Sequence, residues 1–393
     1  MTVAEAQAVS ATRARGFSIP TQLGVALIPL GFALLGVLVR YAAYAASVDD
    51  ASLQGFPMGL CHWDCSWYIR IAEEGYDTFP VSWHSAAGNW AFFPLMPLFV
   101  GALRTITNIP TMGLATVVSI GLSWAAAAIS WPLFERDWRA YALFSAYLLA
   151  GPFSIYFATF MTEPMFILLT VGTLVALKRR RYIEAGIWAG LTSATRIVGA
   201  FLSLALLVQA VGDFVSGGGR WKGLVPHLLK RPDILLGTAL APLGLFTYMA
   251  FLDVWIGDAL AFLHVQRAWQ RPQGNPLDFI WGGLTNWPQH GDWWPTSPQQ
   301  LAAATLIAFA LMVVLAVRRQ WAELSFSFVA LVTPLFAGLA SMLRFISATA
   351  PLPILVCRLL ARNWLVFGIA LLGFIAADYE LAVQWIKGAL ALV

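Results

Sequence analysis

Charged residues are scarce in this 393-residue chain. Only 11% of its residues are Asp, Glu, Lys or Arg, whereas 59% are hydrophobic, and the mean hydropathy is +0.72. A soluble domain carries about 25% charged residues, so this composition excludes that class. Several apolar runs reach the ~20 residues that a helix needs to cross a bilayer, where a backbone must satisfy its own hydrogen bonds. We therefore predict an all-α polytopic transmembrane helical bundle that forms a single domain over residues 1–393.

Cysteine and the common cofactor motifs are also scarce or absent. Three cysteines cannot build a disulfide scaffold. Cys357 lies in an apolar run, whereas Cys61 and Cys65 share one loop, where they either form a short bridge or stay unpaired on one helix face. The chain has no P-loop, dinucleotide fingerprint or HExxH motif, and Asp64 has no D-x-D partner. We predict no cofactor and no required metal ion; the sequence leaves a divalent ion undecided.

The basic residues give the chain its predicted orientation. They cluster at the ends of apolar runs and form no nucleic-acid-binding stripe, so we expect membrane lipids and no nucleic acid as partners. The positive-inside rule assigns 16 of the 24 Lys and Arg residues to the cytoplasm. These are Arg13, Arg15, Arg136, Arg139, the run 178–181, Arg220, Lys222, Lys230, Arg231, Arg318, Arg319, Arg358 and Arg362.

This assignment predicts about nine full crossings. They cover residues 20–42, 112–133, 139–158, 163–178, 233–252, 300–317, 321–341, 345–361 and 363–386. The first is expected to remain as an anchor. Because basic residues flank the segment 182–211 at both ends, we predict that it enters the membrane and returns as two half-helices, with its tip near "SATRIVG". The segment 92–106 is predicted to be a re-entrant or surface helix on the outer side.

Two long outer loops, 43–111 and 253–299, hold most of the remaining acidic residues and are predicted to carry the active site. In the first loop, Trp63, Trp67 and Ile71 recur at i, i+4 and i+8, and Gly75 supplies a stop. This pattern predicts a short surface helix with Asp64 at its N-terminus. Asp64 then has two interpretations, a helix N-cap or a catalytic carboxylate.

An ordered set of motifs favours the catalytic interpretation. The stretch "HWDCSWYIRIAEEGYDTF" followed by "AFFPLMPLFV" resembles the R-W-D-x-x-x-Y-x-x-I-A-x-x-G-Y and F-F-P-L-x-P-L signature of the PIG-V family, the GPI-anchor second mannosyltransferases and their bacterial relatives. Residues 162–202 are similar to its S-E-S-L-F helix and G-L-x-x-A-T-R hairpin, 257–269 to its G-D-P-L-A-F-x-x-x-Q-x-x-W loop, and 341–352 to its S-M-x-R-Y segment. The blocks follow the family's order over most of residues 61–352.

The departures from the family pattern include three that bear on the site. His62 replaces the arginine before Trp-Asp, Thr162 replaces the serine before Glu163, and Phe345 replaces the tyrosine after Arg344. These departures bear on the identity of the substrate more than on the fold.

The resemblance implies a bundle of the GT-C glycosyltransferase type. Such an enzyme takes a sugar, here mannose by family precedent, from a polyprenyl-phosphate donor and passes it with inversion to a hydroxyl of a lipid or glycan acceptor. We expect a monomer in a bacterial inner membrane with its active site on the periplasmic face. Asp64 would be the general base that takes the proton of the attacking hydroxyl.

The matching blocks also imply the rest of the site. The expected donor phosphate-binding residues are Arg344, His264, Arg196 and Arg267. The expected substrate-binding residues are Trp63, His62, Tyr68, Glu163, Gln266 and Trp269.

Simpler interpretations stand beside several of these roles. Glu163 precedes Pro164 at a helix start and suits a cap, and Arg344 is placed to snorkel toward headgroups. Arg196 either braces the hairpin against a carboxylate or reaches the phosphate. The tryptophans of the second loop either contact a sugar or form an interfacial belt; they are Trp281, Trp287, Trp293 and Trp294.

Two other functions compete with the enzyme. A secondary transporter would use half-helices around a site in the middle of the membrane, and it predicts polar residues near the centre of several spans. A noncatalytic subunit would keep the fold and bind lipid-linked glycans without transferring them. Asp64 with its surrounding motifs argues for catalysis.

Overall fold

The computed structural model describes residues 21–79, 87–269, 271, 273–285 and 297–388. In these residues the chain is helical and contains no strand. The α-helices are α1 (Thr21–Ala45), α2 (Phe56–Gly59), α3 (Cys65–Glu74), α4 (Leu95–Thr107), α5 (Thr111–Ile129), α6 (Trp138–Ala150), α7 (Glu163–Lys178), α8 (Tyr182–Ser193), α9 (Leu202–Ser216), α10 (Leu224–Leu229), α11 (Pro232–Leu240), α12 (Leu243–Ile256), α13 (Ala261–His264), α14 (Pro276–Thr285), α15 (Ser297–Val317), α16 (Trp321–Leu335), α17 (Met342–Ala348), α18 (Pro351–Leu360) and α19 (Trp364–Ile386). Short 3-10 turns cover Asn89–Ala91, Trp131–Phe134, Ile197–Phe201, Trp221–Gly223 and Val265–Trp269.

Several of these helices have the length and composition of membrane spans. Five of the described helices qualify: Leu23–Ala45, Thr111–Ile129, Ile197–Ser216, Pro298–Val317 and Trp364–Ile386. The bent pairs α11–α12 (41°) and α17–α18 (72°) raise the number to seven if each pair is one span. The all-α fold is therefore confirmed for the described residues, and five to seven of its helices are long and apolar enough to cross a membrane. The predicted count of nine is not confirmed, because the segments predicted at 139–158, 163–178 and 321–341 form helices of 13, 16 and 15 residues.

Helices α6 and α7 form the centre of the bundle. Asp137 caps α6 by accepting hydrogen bonds from the backbone N–H groups of Arg139 and Ala140. All residues from 140 to 150 are buried, and α7 is buried along almost its whole length against α5 and α8. This burial on every side explains why neither helix shows a polar face in the sequence.

The segment 182–211, which we predict to enter the membrane and return, folds back on itself in the structure. Helix α8 ends at Ser193, the backbone is irregular at Ala194 to Arg196, and the chain continues into α9. The two ends of the segment meet, because Arg180 Nε and Nη2 donate to the Asp213 carboxylate at 2.8 and 2.9 Å. One detail differs from the prediction. Residues Ile197–Ser216 form 20 continuous residues, which is the length of a full span and not of a half-helix.

Basic residues that the positive-inside rule assigned to one side gather at one end of the bundle. A cavity of about 230 Å³ at this end is lined by Lys178, Arg180 and Arg358 together with Glu135. Lys178 Nζ lies 3.1 Å from Glu135 Oε1, and this ion pair lowers the pKa of Glu135. The side of the membrane that this end faces stays a prediction. Arg13 and Arg15 lie outside the described residues.

A buried ion pair joins the first and the last described helices. Arg40 of α1 and Asp378 of α19 are both buried, with 3.4 Å between Arg40 Nη1 and Asp378 Oδ2. Ser154 donates to the other Asp378 oxygen at 2.5 Å, and Arg40 also donates to the Ser154 hydroxyl and the Leu149 carbonyl. Buried charges need such partners. The apolar flanks of both residues gave no sign of this pairing.

The first outer loop forms the helical pair α3 and α4. On α3, Cys65, Tyr68 and Ile71 are buried, and the helix packs against α4 and α5. Gly75 ends it with a positive φ of 83°, as the sequence predicts. Helix α4 has 13 residues and is too short to span, which agrees with a surface or re-entrant helix.

Candidate functional site

The Asp64 turn is held by covalent and packing contacts. A disulfide joins Cys61 to Cys65 and so settles the alternative that the sequence left open. Between them, Trp63 has a left-handed backbone with a φ of 57°. Asp64 occupies the N-cap position of α3, but its side chain makes no capping hydrogen bond. The capping interpretation of this carboxylate is therefore wrong, because Asp64 turns to an arginine instead.

Asp64 belongs to a chain of four charged side chains. Arg344 Nη1 donates to Asp64 Oδ2 at 2.6 Å. Arg344 Nε lies 3.0 Å from Glu163 Oε1, although its N–H is not aligned with that oxygen, so this contact is electrostatic. Arg196 Nη1 donates to the same Glu163 oxygen at 3.0 Å. Glu163 is only 1% exposed, and its two guanidinium neighbours supply the partners that a buried carboxylate needs.

Each member of this cluster comes from a place where a helix starts or breaks. Glu163 is the first residue of α7, Arg196 lies in the break after α8, and Arg344 follows Ser341, which has a left-handed φ of 66°. The Arg196 guanidinium also lies 4.6 Å from the centre of the Phe345 ring, a favourable cation–π distance. The contact with Glu163 matches the bracing interpretation of Arg196. The burial and partners of Arg344 contradict snorkelling.

A cavity of about 280 Å³ lies beside the ion cluster. Asp64, which is 27% exposed, forms part of its wall. The polar wall also contains Tyr68, Thr162, Thr195, Arg196, Gln266, Arg271, Thr333, Arg344 and Thr349. The apolar wall includes Phe92, Phe93, Phe166, Val198, Phe262, Leu263, Trp269, Ala330, Pro334 and Phe345. A few charged groups on an apolar cavity suit a ligand with a polar head and a hydrocarbon part.

Tyr68 places a neutral hydroxyl on this wall. Burial raises the pKa of Tyr68 above its ordinary value, and the negative charges of Asp64 and Glu163 raise it further. The Tyr68 hydroxyl is hydrogen-bonded to Thr162. The group therefore stays protonated and is available as a hydrogen-bonding group beside Asp64.

The structure brings together most of the residues that the sequence predicts for the site. Six line the cavity: Asp64, Tyr68, Arg196, Gln266, Trp269 and Arg344. Glu163 lies directly behind them in the ion cluster. Trp269 reaches the cavity next to Trp67 and Phe92, whose ring centres lie 5.9 and 6.0 Å from its own.

Two residues of the second loop lie outside this wall. His264 is exposed, and its Nδ1 lies 2.7 Å from Asp258 Oδ2. This hydrogen bond lowers the pKa of Asp258. Arg267 is exposed and does not line the cavity either. Since successive side chains of the turn Val265–Trp269 point in different directions, only Gln266 and Trp269 of this turn line the cavity.

His62 and Trp63 also point away from the cavity. The His62 ring packs edge-on against Trp385, with 6.1 Å between ring centres. Burial lowers the pKa of His62, against the opposing effect of hydrogen bonds with the Ile386 and Gly59 backbones. The Trp63 side chain packs in the core around α3. The departure from the family pattern at position 62 therefore lies beside the cavity wall and not in it.

Arg271 is the functional candidate that sequence reasoning missed. It lines the cavity, and its Nη2 donates to Ser341 Oγ at a long 3.4 Å. Its position two residues after Trp269, in an outer loop already predicted to face the site, was the available signal. The resemblance ended at Trp269 and gave Arg271 no role.

The sequence predicted that no metal ion is required, and it left two interpretations of the tryptophans in the second loop. Within the described ranges, no group of three His, Cys, Asp or Glu side chains is arranged to hold a metal ion. The prediction that no metal is required stays a prediction.

Trp281 is exposed on α14, and Trp287, Trp293 and Trp294 lie outside the described residues.

No protein-family model matches the chain, and no curated protein matches it. The likeness to the PIG-V family therefore depends on the motifs quoted above.

Proposed function

We propose that this chain is an inverting glycosyltransferase of the GT-C type that moves a sugar from a polyprenyl-phosphate donor to an acceptor hydroxyl. The observation that carries the proposal is the position of the Asp64 carboxylate. The carboxylate makes no capping hydrogen bond to α3 and lines a cavity. Its Oδ2 atom lies 2.6 Å from Arg344 Nη1. A carboxylate and several guanidinium groups on one partly apolar cavity match the needs of a lipid-linked phosphate donor.

The proposed reaction assigns a task to each charged group. The acceptor oxygen forms a bond to the anomeric carbon from the face opposite the phosphate, and the bond between that carbon and the phosphate oxygen breaks. Asp64 takes the proton of the acceptor hydroxyl, and the polyprenyl phosphate departs with the bonding electron pair. General-base help of this kind is worth about 100- to 10,000-fold in rate. Guanidinium groups stabilise the charge that develops on the departing oxygen.

The disulfide supports the orientation that we propose. Disulfides persist in oxidising compartments, and the Cys61–Cys65 bridge adjoins Asp64. The basic cavity around Lys178 and Arg358 involves none of the residues that line the Asp64 cavity. We therefore infer that Asp64 lies on the periplasmic side of a bacterial inner membrane. We also infer that the protein acts as a monomer on a mannosyl donor.

The transporter alternative finds little support in the polar residues of the spans. Arg40 and Asp378 lie within candidate spans, but they line neither the Asp64 cavity nor the basic cavity. Their mutual pairing fixes α1 to α19.

A transfer assay tests the proposal. The purified chain in proteoliposomes receives synthetic polyprenyl-phosphate mannose and a bacterial lipid and glycan extract as acceptor, and labelled product is separated from donor. We expect transfer by the wild type, about a 100- to 10,000-fold loss in Asp64→Asn, and a near-normal rate in Glu74→Gln. Glu74 lies on the same helix as Tyr68 and is 69% exposed. Parallel donors carrying glucose or a pentose identify the sugar.

Two results would overturn the proposal. Transfer at the wild-type rate by Asp64→Asn would remove the general base from the mechanism. Binding of the donor without transfer of any of the three sugars would instead favour the noncatalytic glycolipid-binding subunit.

A further inference from the structure

Three guanidinium groups and one carboxylate line the Asp64 cavity, and they differ in how far they are neutralised. Arg344, Arg196 and Arg271 carry three positive charges, whereas Asp64 on the wall and Glu163 behind it carry two negative charges. The cluster therefore has a net charge of one positive. Arg344 contacts both carboxylates, and Arg196 contacts Glu163.

Arg271 is the cavity arginine that has no carboxylate partner among the described residues. Among the described residues, no carboxylate oxygen lies within ion-pair distance of its guanidinium. Its hydrogen bond is the long one to the neutral Ser341 hydroxyl. Burial lowers the pKa of Arg271, and the positive charge of Arg344 lowers it further, against a smaller opposing effect of Asp64. The charged form is thus poorly compensated, and an anion in the cavity would supply what it lacks.

The surroundings of Arg271 select the kind of anion. Trp269, Leu263 and Phe262 lie on the same cavity wall, and Pro334 belongs to it as well. A planar guanidinium binds phosphate oxygens in a bidentate manner. An apolar wall beside such a group accommodates a hydrocarbon chain attached to the phosphate.

We propose that Arg271 is the residue that captures the phosphate group of the isoprenoid donor in the Asp64 cavity. This assignment rests on the proposed function and replaces the roles that the sequence suggested for His264 and Arg267. As the bond from the anomeric carbon to the phosphate oxygen breaks, negative charge grows on that oxygen. A guanidinium fixed there stabilises the transition state more than the bound donor.

Direct binding of a short isoprenyl phosphate tests the assignment without requiring turnover. The ligand is titrated into the full chain in detergent, with the neutral isoprenol as the control ligand. We expect Arg271→Gln to weaken binding of the phosphate at least about 10-fold, as expected for loss of a charge-assisted hydrogen bond, and to leave isoprenol binding unchanged. Arg271→Lys keeps the charge and should recover part of the affinity.

Three further variants separate phosphate capture by Arg271 from a general effect of charge and from a purely structural role. Arg104→Gln removes a half-exposed arginine of α4 that does not line the cavity, and it should bind the phosphate normally. Arg267→Gln removes an arginine that the sequence predicted for phosphate binding but that does not line the cavity. This variant should also bind the phosphate normally. Ser341→Ala removes the hydroxyl that accepts the hydrogen bond from Arg271. If Arg271 only tethered its loop to Ser341, this variant would lose as much affinity as Arg271→Gln, and the assignment would fail.

Competing ligands identify the source of the phosphate. Neither inorganic phosphate nor phosphatidylglycerol in nanodiscs should displace the isoprenyl phosphate at comparable concentration. Equal competition by inorganic phosphate would make this a free-phosphate site, and equal competition by phosphatidylglycerol would make it a general lipid headgroup site. Either result overturns the donor assignment.

The outcomes also distinguish the assignment from the proposed function. Loss of isoprenyl phosphate binding in Arg271→Gln, with no transfer activity in the wild type, would preserve the phosphate site and reject the enzyme. Transfer by the wild type with unchanged donor binding in Arg271→Gln would preserve the enzyme and reject the role of Arg271.

Discussion

Asp64 and Arg344 are 280 positions apart in the chain, and 2.6 Å separates Asp64 Oδ2 from Arg344 Nη1. The contact joins the N-terminus of α3 to α17 and gives the proposed base a cationic neighbour before any substrate arrives. A donor phosphate in this cavity would compete with the Asp64 carboxylate for the positive charge of Arg344. On the proposed function, the same pair would link donor binding to the release of the Asp64 carboxylate from Arg344.

This competition predicts opposite effects of one substitution on binding and on rate. Asp64→Asn raises the net charge of the cluster by one, so it should bind an isoprenyl phosphate about 3- to 10-fold more tightly than the wild type even though transfer is lost. Titration with the phosphate measures the change, and titration with neutral isoprenol is the control. An unchanged or weaker affinity for the phosphate would show that Asp64 does not compete for Arg344.

Loss of Glu163 should cost far more stability than loss of an exposed carboxylate. Glu163→Gln leaves Arg196 and Arg344 without their shared carboxylate in a buried setting, which we expect to lower the free energy of unfolding by about 3–5 kcal/mol. Denaturant titration in detergent provides the measurement. The matched variant Glu135→Gln removes an exposed carboxylate that pairs with Lys178 and should cost at most about 1 kcal/mol.

A second substitution tests the origin of that loss. If uncompensated charge is the cause, Glu163→Gln with Arg196→Met should be more stable than Glu163→Gln alone. Equal losses in the Glu163 and Glu135 variants would instead mean that the buried cluster contributes no more than a surface pair.

The sequence was most informative where its pattern had a local cause. Gly75 stops α3 through interactions within a few residues, as predicted. Basic groups at both ends of 182–211 predicted that the segment returns to the side from which it starts, and the Arg180–Asp213 contact joins its two ends. Helix α6 was predicted too long, because a helix buried on every side is as apolar as one that crosses lipid. Helix α7 has the predicted bounds, 163–178, but it is shorter than the ~20 residues of a full span.

The site was predictable only in part for a related reason. The resemblance named Asp64, Glu163, Arg196 and Arg344 individually, but their pairing joins segments that are distant in the chain. Likewise, spacing alone does not reveal which side of the turn Val265–Trp269 faces inward. Arg267 was assigned to the site, but it does not line the cavity because its direction depends on that rotation, and Arg271 was missed because it lies beyond the last residue of the matching block.

The disulfide allows the proposed orientation to be checked chemically. Cys65→Ser frees Cys61, which is partly exposed, whereas Cys357 is buried. A membrane-impermeant maleimide should therefore label this variant in spheroplasts and leave the wild type largely unlabelled until it is reduced. Cys61→Ser is the matched control, because the thiol that it frees, Cys65, is fully buried. Labelling of Cys65→Ser only in inverted membrane vesicles would place Asp64 on the cytoplasmic side.

His62 should make stability depend on pH. Burial lowers its pKa from the ordinary 6.5, so between the lowered value and 6.5 the unfolded chain binds more protons than the folded one. Stability from this group is thus complete above about pH 6.5 and is lost as the pH falls through that range. The melting temperature in detergent should decline between about pH 7 and pH 5 in the wild type and decline less in His62→Asn. Because His62 packs on Trp385, the wild-type decline should be accompanied by a change in tryptophan fluorescence. Parallel melting curves for the two proteins at every pH would mean that the His62 imidazole titrates identically in the folded and unfolded chain.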